Sequence, residues 1–180
     1  MKFVVLFFIC LQTIYAYSHK ELLNDYEAKN YEKVCSQGGV LFFNNEKNEN
    51  ILIAIGDACA KVDAINPLGN VVKNLVSTDA YRESGSYFAT LILQKKLIYQ
   101  FMHDNINLKD LRLPRTEHIL SKVFENLAKG NYEIVNDGMQ KVSIKLPGQS
   151  YLLWLSNDDP KRVYIDEYEN DKLLKRHWYL

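Results

Sequence analysis

The sequence predicts an α+β fold, an N-terminal bundle of about five helices with a C-terminal antiparallel β-meander packed on it. Three observations carry this. Apolar residues recur every three or four positions as far as about Lys129, the period of a helix with one buried face. From Asn131 the period becomes two, as in strands. Turn signals then separate short apolar runs, at Asn136-Asp137-Gly138, Pro147-Gly148 and Asn157 to Pro160. So small a sheet cannot bury both faces alone, and one face is expected to lie on the helices. The 180 residues divide into 1–18, read as a signal peptide, 19–130, helical, and 131–180, the meander. The last two are expected to form one compact unit.

The elements follow in order. Ser18 and Glu21 form a capping box for a helix to about Lys29. Tyr31 to Gln37 reads as a short second helix, stopped by Gly38-Gly39, with Val40 to Phe43 ambiguous and Asn44 to Asn50 a polar loop. Ile51 to Ala64 is a helix whose Leu52, Ile55, Cys59 and Val62 make one stripe. Asn66-Pro67 signals the next start, with Asn as N-cap and Pro in the first turn, for Leu68 to Val76. Thr78-Asp79 opens the longest helix, to about Met102, with Tyr81, Gly85, Phe88, Leu91, Ile92, Ile98 and Met102 inward. Gly85 is costly inside a helix, which predicts a close crossing there. After a polar linker, Pro114 and Thr116 open a last helix that Gly130 ends. In the meander, Gln140 to Leu146 alternates and Tyr151 to Ser156 is apolar enough to be central. Val163 to Tyr168 and Leu173 to Tyr179 pair across Glu169 to Lys172.

The leader bounds the compartment. Lys2 precedes an unbroken apolar run from Phe3 to Leu11, and Ala16 or Ser18 offers a small residue for cleavage. The run is about half of the ~20 residues needed to span a bilayer. Bulky residues before Cys10 argue against a lipid anchor there. The expectation is a bacterial protein without a transmembrane span after signal removal, periplasmic or alternatively secreted. Cleavage leaves two cysteines, Cys35 and Cys59. Their spacing lacks the C-x-x-C of a redox or metal pair. A disulfide between neighbouring helices leads, with two buried thiols as the alternative.

With 22 basic and 22 acidic residues the chain has no electrostatic footprint for nucleic acid. An apolar share of 47% argues against a disordered chain. No metal or other cofactor is expected, because His19, His103, His118 and His177 lack ligand spacing. No nucleophile motif stands out either. Ser84-Gly85-Ser86 sits in a helical stretch, and Asp166-Glu167 on a strand point to opposite faces. No catalytic residue is therefore assigned. The aromatic residues Trp154, Tyr164, Tyr168, Trp178 and Tyr179 cluster in the sheet. They serve either as cross-strand packing or as a recognition face for peptide or glycan.

The run from Asn24 to Cys35, with Tyr31-Glu32 opening its second half, resembles the middle of a tetratricopeptide-type repeat, Val34 standing where Ala is usual. The helix pair from about Ile51 to Val76 would be a second unit. The resemblance implies a helical scaffold that binds protein partners. The hairpin from Tyr164 to Tyr179 is similar to Tyr-rich hairpins of exported bacterial proteins. The leading expectation is thus a non-enzymatic interaction or scaffold module with a protein partner in the cell envelope. A hydrolase-like enzyme using His118, His103 or His177 with a nearby carboxylate is one alternative. A small-ligand sensor with a groove between helices and sheet is the other.

Overall fold

The computed structural model describes residues 17–43, 46–136 and 140–180. The leader to Ala16, Asn44-Asn45 and the Asp137-Gly138 turn lie outside the described residues. The fold is α+β. Among the described residues, six helices precede one five-stranded antiparallel sheet of order β1-β2-β3-β4-β5.

Helix α1 (His19–Glu27) carries the expected capping box, with Ser18 and Glu21 each satisfying the other's backbone N–H. Helix α2 (Tyr31–Phe43) does not stop at Gly38-Gly39 but runs through them. The reason is packing. A Cβ on Gly38 would stand 2.5 Å from Ile55 Cγ2 of α3 (Glu49–Lys61), so the glycine lets the two helices approach. Gly38→Ala is expected to lower stability by about 1–3 kcal/mol through overpacking. A urea midpoint no lower than that of the native protein would contradict this account. The same two helices are joined by the Cys35–Cys59 disulfide.

Helix α4 (Leu68–Val72) is shorter than predicted, and Asn66 does not cap it. Its side-chain oxygen instead accepts from Lys95 Nζ of α5 (Asp79–Asp104). Thr78 caps α5 as expected, through a 3.3 Å bond from the Tyr81 N–H. Gly85 lies under the end of α4, where an added Cβ would be 3.5 Å from Leu75 Cβ. Helix α6 (Ile119–Lys129) starts later than Pro114 and Thr116, because His118 is its N-cap. Gly130 ends it in the left-handed conformation.

Strands β1 (Glu133–Asn136), β2 (Gln140–Leu146), β3 (Gln149–Leu155), β4 (Val163–Glu169) and β5 (Lys172–Tyr179) form a meander with β3 in the middle. Asn170 and Asp171, both at positive φ, make the two-residue turn between β4 and β5. The inner face supplies Val142, Ile144, Tyr151, Leu153, Val163 and Ile165 to one core shared with the helices. Among the described residues, strand β5 lies at the edge of the sheet. Lys172, Lys175, Arg176 and a register shift opposite Glu167 and Tyr168 are devices that discourage edge-to-edge pairing.

Candidate functional site

The two faces of the sheet carry different chemistry. On the outer face Trp154, Tyr164 and Trp178 stand directly opposite one another across β3, β4 and β5. Trp154 and Tyr164 stack with centroids 4.3 Å apart and planes 10° from parallel. In the next row, Asp166 faces Arg176. The Arg176 guanidinium donates to both Asp166 oxygens, at 2.6 and 2.9 Å, and Trp154 Nε1 donates to the same carboxylate at 3.2 Å. Arg176 also lies 5.2 Å from the Trp154 centroid and Arg162 lies 4.7 Å from that of Trp178. The buried Asp166 thus fixes a plate of aromatic rings and guanidinium groups.

This geometry divides the five aromatic residues. Trp154, Tyr164 and Tyr168 are half-buried on the outer face and Trp178 is 49% exposed. Tyr179 is 3% exposed and points the other way, as strand alternation from Trp178 requires. It belongs to the inner face, not to a recognition face.

There Tyr179 OH donates to Asp63 Oδ1 at 2.7 Å. Asp63 sits in the turn after α3 at φ 63° and gathers three further groups. His177 Nδ1 is 2.9 Å from its Oδ2, Lys175 Nζ is 2.8 Å from Oδ2, and His118 Nε2 is 3.8 Å from Oδ1. Glu167 Oε2 approaches His177 Nε2 at 3.4 Å. Burial pushes the Asp63 carboxyl up, but bonds from His177, Lys175 and Tyr179 outweigh it and hold it well below the usual carboxylate range. Burial lowers His118, against the Ala60 carbonyl and Asp63, and so favours its neutral form.

Sequence reasoning named the histidines but missed Asp63. The fold brings His118 and His177 together with two acids, while His103 lies apart, bonded to Asp104 and stacked on Tyr99. His19 pairs with Glu46. Every ring nitrogen in the inner cluster is engaged. His118 Nδ1 accepts from the Leu120 N–H at 3.2 Å and its Nε2 meets the Ala60 carbonyl at 3.1 Å. A general base needs a nitrogen within reach of a substrate proton. This cluster directs its nitrogens to its own neighbours and joins the sheet to the helical half. Among the described residues no His, Cys, Asp or Glu group is arranged to hold a metal ion.

No family model, curated protein or solved structure matches the chain.

Beside the inner cluster, α5 buries Lys95, with no carboxylate side chain paired to it among the described residues. Its ammonium donates to Asn66 Oδ1 and to the Leu180 main-chain oxygen. Burial, with Lys96 alongside, brings it down to about 8. Gln94 and Lys95 fall three and four residues after Leu91, on the apolar stripe. That spacing was the available signal for polar groups facing the core. Lys95, Pro67, Trp178 and Tyr179 line a cavity of about 200 Å³ between helices and sheet.

Proposed function

We propose that the chain is an exported, non-enzymatic protein-interaction module whose partner docks on the outer face of the sheet. The observation that carries this is the plate of Trp154, Tyr164, Trp178, Arg162 and Arg176. Trp, Tyr and Arg are the residues that dominate binding energy at protein interfaces. The Trp154 and Tyr164 rings face each other, and guanidinium groups lie over Trp154 and Trp178. This leaves little open ring face for stacking a sugar, and it favours a peptide over a glycan. The Arg162 guanidinium has no carboxylate partner among the described residues. The complementary partner is therefore a protein with an acidic segment, located in the cell envelope.

Export is supported by the leader-like residues 1–18 and by the disulfide, a bond that persists in oxidising compartments. Among the described residues no helix is long and apolar enough to cross a membrane. These features favour the periplasm, with secretion second. The tetratricopeptide-like run in α1 and α2 supports the scaffold reading further. The hydrolase-like reading is less well supported, because the ring nitrogens of His118 and His177 are taken up within the protein.

A photo-cross-linking amino acid placed at Trp178 should give a discrete adduct in the cell envelope, and one at the exposed Glu83 of α5 should not. Arg162→Glu should abolish the Trp178 adduct while leaving the unfolding midpoint unchanged. Equal adducts from both positions, or an adduct indifferent to Arg162→Glu, would remove the basis for this function.

A further inference from the structure

A second cavity lies away from the sheet, between α5, α6 and the linker that joins them. Its volume is about 530 Å³, inside the range of about 300–1,000 Å³ typical of small-molecule sites. The floor is made by core residues, Gln94, Ser121 and Phe124, and the side wall by Leu111, Leu113 and Pro114. The linker is held in place rather than draped. Leu108 is buried in the core, and the Asp110 N–H donates to the Ala128 carbonyl at 3.2 Å. Asp110 takes a φ of 65° to do so, the kind of backbone conformation that gathers at ligand clamps.

Two features specify an occupant. The first is Gln94. Its Nε2 donates to the Pro114 carbonyl at 3.2 Å and to Ser121 Oγ at 2.9 Å. A carbonyl can only accept, so the amide orientation is settled. Its Oε1 is then a buried acceptor with no partner among the described residues. Such groups are rare and call for a donor. The second is the rim. Lys109, Arg112, Arg115 and Lys129 surround the opening against Asp110 and Glu125. Glu125 is already paired with Lys129 and Arg115, whereas the side chains of Lys109 and Arg112 have no ion pair among the described residues.

We propose that this cavity binds an amphipathic organic anion, with a hydrogen-bond donor toward Gln94 Oε1, an apolar body against Phe124 and Leu113, and its anionic group at Lys109 and Arg112. The site is separate from the outer sheet face and gives the module a small-molecule input.

The probe is 1-anilinonaphthalene-8-sulfonate, which combines an aryl body and a sulfonate. Its fluorescence should titrate to one site per chain. The dissociation constant of 4-hydroxyphenylacetate, read by displacement of the probe, should rise on the order of fivefold for Gln94→Met, the loss of one hydrogen bond. It should rise at least as much for the double variant Lys109→Ala, Arg112→Ala, which should also flatten the salt dependence. Those two positions are exposed, so the double variant keeps the test open if Gln94→Met fails to fold. Trp178→Ala should bind as the native protein does. In competition, 4-hydroxyphenylacetate should displace the probe better than phenylacetate, and the cation tyramine should not. The proposal is overturned by non-saturable binding, by indifference to both sets of variants, by loss of binding in Trp178→Ala, or by displacement with tyramine.

Discussion

Asp63→Ala is expected to cost about 3–5 kcal/mol of stability, the usual penalty for removing one partner from a buried charged cluster. The substitution takes the shared acceptor from His177, Tyr179 and Lys175 at once. It also places alanine at a φ of 63°, where Asp and Asn are better tolerated. Asp63→Asn keeps the backbone preference and one acceptor oxygen, so its loss should be smaller. Urea unfolding at neutral pH measures both. The carboxyl also dictates an acid limb. It is held below its ordinary range in the folded state, so the folded protein binds its proton less readily than the unfolded chain. The resulting stabilisation is complete above the ordinary carboxylate value of about 4 and is lost as pH falls below it toward the lowered value. Asp63→Asn should flatten that limb. Identical acid limbs for the native and Asn proteins would mean that Asp63 does not organise the junction.

Reduction of the disulfide is expected to lower stability by about 3.5 kcal/mol, the chain-entropy value for a closed loop of about 25 residues. The bond joins Cys35 of α2 to Cys59 of α3, and Cys59 is fully buried. The paired substitution Cys35→Ala, Cys59→Ala should lose at least as much, because it also removes two buried sulfur atoms. Unfolding with and without reductant gives the first value. Alkylation of protein isolated without reductant gives the second test, since two alkylatable thiols would show that the native form lacks the bond.

The fold class was legible because its signals are local. The Ser18 and Thr78 caps, the Gly130 stop and the change of period at Asn131 each depend on a few neighbouring residues. What failed to read depends on distant ones. Gly38-Gly39 has the composition of a helix stop, and only Ile55 across the helix pair explains why the helix continues. Asn66-Pro67 looks like a cap until Lys95 claims the asparagine oxygen. His118 rather than Thr116 caps α6, because its ring is also anchored to the Ala60 carbonyl. The candidate site divides in the same way. The outer aromatic row followed from alternation, and alternation also set Tyr179 apart from Trp178. Asp63 had no local signal at all, since His177 and Tyr179, which bond it, lie 114 and 116 residues further along the chain.

That separation has a consequence in time. Asp63 is made early, and the groups that satisfy it arrive with the final strand. Any chain that has not yet released Lys175, His177 and Tyr179 leaves the Asp63 carboxylate without these three partners. Closing contacts across 114 and 116 residues is intrinsically slow. Docking of β5 is therefore expected to be the step that completes the junction between the helices and the sheet.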